Sequence, residues 1–148
     1  MVEVVKATCT ATGNGLQMKT GARGFDLILD EPKEMGGGNT GMNPIECLLC
    51  ALGACQGIVA KAFASAHDFK FEDFHVELEG DFDPDGFSGV NPDAINGYSE
   101  IRVRMHFKTE EPKEKVDAFV EFIEATCPVG DTLKRGVKVV NMGTVIEK

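Results

Sequence analysis

Five cysteines, Cys9, Cys47, Cys50, Cys55 and Cys127, are the residues of this 148-residue chain with the most chemistry to offer. A thiol can act as nucleophile, metal ligand or half of a disulfide, and its surroundings decide which. Cys47 and Cys50 form a C-x-x-C. Zinc would need two more ligands, and the sequence holds neither a second C-x-x-C nor an H-x₃₋₅-H. On a helix, i and i+3 share a face but strain a disulfide, so core packing is the favoured reading of this pair over a metal or redox site. Cys55 lies within an apolar run, residues 45–60, where a small core residue is the ordinary role. Cys127 precedes Pro128 at the start of a short helix, whose positive end and free N–H groups are expected to lower a thiol pKa. Cys9 falls in a strand-like stretch and reads as packing. Spacing alone does not place Cys55 beside Cys127.

An odd cysteine count in a chain long enough to bury its own core speaks against a disulfide framework. One domain, residues 1–148, is expected. The first residues carry no basic stretch followed by an apolar run, so the expected compartment is the reducing cytoplasm. With 15 Lys and Arg against 24 Asp and Glu, the net charge of −9 argues against a sequence-independent grip on nucleic acid or on an anionic membrane. The apolar run is interrupted by Glu46, Gly53, Gln56 and Gly57 and reads as a buried helix, short of the roughly 18–20 apolar residues that span a bilayer.

The elements that must hold these thiols follow from local patterns. Residues 2–12, 16–20 and 24–30 read as a three-stranded meander with a turn at Thr12-Gly13-Asn14-Gly15. Residues 31–42 form a glycine-rich loop of functional length. Asn43-Pro44-Ile45-Glu46 is a helix start, and the helix is expected from Pro44 to about His67. Apolar residues occupy nearly every face of it (Leu48, Leu49, Leu52, Ile58, Val59, Phe63), which requires cover on all sides and predicts a homodimer. Residues 71–82 and 98–109 alternate as an antiparallel strand pair joined by a long loop. Val116, Phe119, Val120, Phe122 and Ile123 mark a helix over 113–125, Pro128 opens a short one ending at Gly136, and residues 137–146 read as a closing strand. Strands and helices in blocks give an α+β class.

With these residues in place, NPIECLLCALGACQGIVAKAFA, ELEGDFDPDGFSGVNPDAINGYSEIRVRMHF and TCPVGDTLKRGVKV, in that order, resemble the OsmC/Ohr family of thiol-dependent hydroperoxide-reducing proteins. The resemblance spans roughly residues 23–140. It implies an OsmC-like fold, antiparallel sheets wrapped around two long central helices in an intertwined homodimer. It also implies a two-cysteine peroxidase of organic hydroperoxides, with hydrogen peroxide a poorer substrate. Cys55 matches the peroxidatic position, Cys127 the resolving one. The implied reductant is an external dithiol or lipoyl-type compound, with no bound cofactor. The alternative is a non-catalytic binding protein of the same fold, holding an apolar ligand beside a reactive Cys55.

The family also uses an Arg and a Glu near the peroxidatic thiol. Arg23, the only Arg before the central helix, is the candidate for the first; a solvated turn residue is its other reading. For the second the sequence departs from the organic-hydroperoxide-resistance branch: Ile45 follows the Asn-Pro pair, and Glu46 comes one later. At about 100° per residue, Glu46 and Cys55 fall on opposite faces of an ideal helix, and Glu46 equally suits a capping box with Asn43. The acidic run Asp81–Gly86 imitates half a calcium loop, but its twelfth position is Pro92. His67, His75 and His106 have no partner nearby in sequence and read as packing.

Overall fold

The computed structural model describes residues 1–148. The chain divides into two compact units, residues 1–50 with 80–101 and residues 51–79 with 102–148.

In the first unit, β1 (Thr8–Ala11), β2 (Met18–Ala22) and β3 (Phe25–Leu29) form the antiparallel meander, with Thr8 opposite Gly21 and Thr20 opposite Leu27. The first strand is shorter than the run 2–12, because its pairing with β2 begins only at Thr8. Arg23 and Gly24 join β2 to β3 with φ of 54° and 86°, the left-handed pair of a type I′ hairpin turn.

The loop after β3 is tied down rather than loose. Asp30, 3% exposed, accepts hydrogen bonds from the Thr40 hydroxyl (2.6 Å) and from the N–H groups of Glu31 (2.8 Å), Thr40 (3.1 Å) and Gly38 (3.2 Å). The Thr40 hydroxyl, then the backbone amides, hold its carboxyl down at a pKa of about 2. Gly37 is obligatory here: a Cβ would lie 2.0 Å from the Glu31 carbonyl oxygen.

α1 (Pro44–Phe63) begins as the cap signal requires, with Asn43 Oδ1 accepting the Glu46 N–H at 2.9 Å. It stops at Phe63, short of His67. Residues Ser65–His67 make a separate 3₁₀ turn, closed by Asp68 in the left-handed region at φ 49°. The one tyrosine, Tyr98, lies over Gly80, where a Cβ would meet the ring at 2.6 Å, and donates to the Ile45 carbonyl at 2.7 Å. That bond gives the first turn of α1 a side-chain donor beside the acceptor that Asn43 supplies.

β4 (Asp73–Phe82) and β5 (Tyr98–Lys108) pair as expected. The loop between them contains α2 (Pro84–Ser88), capped by Asp83, whose carboxylate accepts the Asp85 N–H at 3.0 Å. The acidic run is thus a strand end and a helix cap.

The core of the second unit is Val59, Ala60, Phe69, Phe119 and Ile123, rimmed by Phe71, Phe74, Phe107 and Phe122. Phe69 stacks on Phe119 with centroids 4.4 Å apart. α3 (Lys113–Thr126) contributes Phe119 and Ile123, and α4 (Pro128–Arg135) follows after a single residue.

Two expectations fail within one copy of the chain. α1 is not covered on all sides: Leu52, Gln56, Val59 and Ala60 are its buried residues, and Ile58 is 68% exposed. Residues 137–146 form no strand, because nothing in the chain pairs with them; Val139 and Val145 are 91% and 84% exposed. By length and composition α1 also qualifies as a bilayer-crossing helix, despite its polar interruptions. Its buried face instead packs into the core just described.

Candidate active site

Two thiols from distant parts of the sequence meet in the second unit. α1 presents Cys55, half-buried, and the α3–α4 junction presents Cys127, 0% exposed, hydrogen-bonded to the Cys55 sulfur. Cys127 belongs to two helices at once. Its N–H donates to the Ile123 carbonyl at 2.9 Å, closing α3, while its extended backbone (φ −62°, ψ 114°) makes it the N-cap of α4. From there its Sγ accepts the Gly130 N–H at 3.4 Å, and its carbonyl accepts the Asp131 N–H at 2.9 Å. Its backbone is tied to both helices, and the Gly130 amide orients its sulfur.

The electrostatics of Cys127 differ from the expectation set by the helix end alone. Burial, and then the hydrogen bond with Cys55, raise its pKa; the Gly130 and Val129 amides pull the other way and lose. An ionised sulfur forfeits its hydration in a site with no exposed surface, and two partial dipoles do not replace that hydration. Cys127 is therefore held as a thiol. Leu52 lines the same spot: a Cβ on Gly130 would sit 3.6 Å from both its Cδ1 and the Cys127 Sγ. Two adjacent thiols in apolar walls can lose two electrons together and close a disulfide.

Arg23, Glu46, Cys9, Cys47 and Cys50 lie in the first unit, and the three histidines in the second. Arg23 occupies the β2–β3 turn with its guanidinium 5.3 Å from the centroid of the exposed Phe25 ring, a cation–π contact. Glu46 is exposed, and its N–H is the one the Asn43 cap engages. Cys47 is half-buried, Cys50 and Cys9 are exposed, and all five cysteines are free. His67 packs on Phe122 at 4.0 Å, while His75 stacks on His106 at 4.2 Å, with His106 paired to Glu77 at 2.6 Å.

Sequence reading passed over two residues here. Gly130 supplies the N–H to Cys127, and its signal is its place as third residue of a helix capped by cysteine. Gln56, next to Cys55, is 5% exposed and its Oε1 has no hydrogen-bond partner in the chain. Nothing in its neighbours' types signals a buried amide.

Residues 36–140 match the family of OsmC-like proteins, and the chain belongs to that family. A hydroperoxide reductase from Mycoplasma genitalium is 27% identical over 111 residues, 74% of this chain and 72% of that protein. Among solved structures, an OsmC-like protein from Mycoplasma pneumoniae superposes with a TM-score of 0.78 at 24% identity, covering 93% of this chain and 91% of its own. An organic hydroperoxide resistance protein from Legionella pneumophila superposes at 0.67 with 20% identity over 92% of each chain. The α+β architecture is the one these proteins share.

Proposed function

We propose that the protein is a thiol-dependent peroxidase that reduces organic hydroperoxides through Cys55 and Cys127. The contact between these two sulfurs, formed by elements far apart in sequence, carries the reading. The Cys55 thiolate attacks the terminal oxygen of the hydroperoxide; the O–O bond breaks, an alcohol leaves after protonation, and Cys55 becomes a sulfenic acid. The Cys127 sulfur then attacks the Cys55 sulfur, water leaves, and a disulfide forms. Two electrons and two protons from an external dithiol restore both thiols. Membership of the OsmC-like family and the similarity to a hydroperoxide reductase support the activity. The apolar Leu52 beside Cys127 suits an organic peroxide over a hydrated one. Five free thiols suit a reducing, cytoplasmic compartment.

The working unit in this reading is a homodimer. Ile58 on α1 and the valine-rich residues 137–146 are exposed in one copy, and a second copy would cover them. Sedimentation is expected to give a dimer, and Ile58→Asp to shift it toward monomer; a wild-type monomer at micromolar concentration would refute the assembly. For the activity, consumption of cumene hydroperoxide with a dithiol is expected to fall at least about 100-fold in Cys55→Ser, as befits loss of a nucleophile. An unchanged rate would leave only the binding role.

A further inference from the structure

The reductive half of the cycle must begin at one of two sulfurs, and these two differ in access. A thiolate enters a disulfide along the S–S axis, so the attacked sulfur needs an open approach on the side away from its partner. Cys127 has none: it is 0% exposed, closed in by the last turn of α3, the first turn of α4 and Leu52. A second copy of the chain can only cover a surface further, so Cys127 stays closed in any assembly. Cys55 keeps part of its surface. The two also differ in what awaits them as leaving groups. Cys127 is the N-cap of α4, and the Gly130 N–H already points at its sulfur at 3.4 Å.

Resting on the two-cysteine reading above, we infer that the external dithiol attacks the Cys55 sulfur alone, forming its mixed disulfide there while Cys127 departs into the amides that open α4. In the first step one thiol of the reductant bonds to Cys55, the Cys55–Cys127 bond breaks, and the proton lost by the attacking thiol passes to the Cys127 sulfur. In the second step the reductant's other thiol attacks its own sulfur in the mixed disulfide. Cys55 leaves and takes that proton, and the reductant ends as a disulfide, having supplied both electrons. The high proton affinity of Cys127 works against it as a leaving group. Access decides the outcome because a leaving-group penalty slows an attack, whereas a closed approach prevents it. The partner this site takes is therefore a dithiol slender enough to reach a half-buried sulfur on α1, with its second thiol close behind the first.

The test starts from the disulfide made chemically with diamide, so it does not depend on peroxidase turnover. The Cys9→Ser/Cys47→Ser/Cys50→Ser protein, with wild type alongside, is oxidised, pulsed with 2-mercaptoethanol, quenched in acid and mapped by peptide mass spectrometry. The expected result is mercaptoethanol on Cys55 in at least about tenfold excess over Cys127, as follows when only one sulfur is open to exchange. Equal labelling, or a majority on Cys127, overturns the inference. A disulfide that diamide forms but cumene hydroperoxide does not would overturn the peroxidase reading and leave this one to the labelling ratio. Failure of diamide to join Cys55 to Cys127 in either protein would overturn both.

Discussion

The chain carries two pairs of cysteines, one close in sequence and one close in space. Cys47 and Cys50 are three residues apart on one helix, and Cys50 is exposed. Cys55 and Cys127 come from different elements, and their sulfurs meet where one helix ends and the next begins. The motif that looks like redox chemistry in the sequence has ordinary helical surroundings. The pair without a motif has a capped, desolvated sulfur at its centre. Thiol chemistry follows surroundings more closely than spacing.

That contrast can be broken at several points. In the proposed cycle Cys127→Ser retains the first turnover but loses steady-state dithiol-dependent rate by about tenfold or more, and its Cys55 sulfenic acid becomes trappable with dimedone. The corresponding change at Cys47 or Cys50 is expected to alter the rate less than about twofold; a collapse there would reverse the roles of the pairs.

Stability separates the packing beneath the Cys127 site from the turn that begins before Cys47. Ile123→Ala, at 0% exposure and one turn before Cys127, is expected to cost about 2–5 kcal/mol in denaturant unfolding. Loss of the helix cap in Asn43→Ala should cost about 1 kcal/mol.

The smallest effect concerns acid. Asp30 has a folded pKa of about 2 against an ordinary value of 3.8, so the stability it contributes is complete above 3.8 and drains away as pH falls toward 2. Amide exchange at Gly38 and Thr40 should accelerate across that window, and Asp30→Asn should remove the pH dependence. An equally steep acid response in Asp30→Asn would assign it to other carboxylates.

Much of the fold was legible before the structure. The Asn43-Pro44 start of α1, the helical spacing of Val116 to Ile123, the alternation of β4 and β5 and the Gly136 stop of α4 are local signals, read from near neighbours. The stop of α1 at Phe63 was not, because the chain keeps helical angles at Ala64 and only tightens into the 3₁₀ turn Ser65–His67, which the left-handed Asp68 then ends. Residues 137–146 have the composition of a strand without the neighbour that makes one. The restraint of the 31–42 loop was hidden because Asp30 and Thr40 are far enough apart that neither residue type points to the other.

For the site, the sequence by itself determined which side chains could react and that Cys127 would cap a helix, since capping depends on a few consecutive residues. Resemblance to a known family supplied the pairing of Cys55 with Cys127. Only the tertiary structure put the two sulfurs in contact, and only it reversed the expected pKa of Cys127. The helix end that lowers a thiol pKa is a local feature written in the chain. The burial that raises it is the sum of Leu52, the adjoining turns of α3 and α4 and the other groups that close over the sulfur, and no single segment contains that sum.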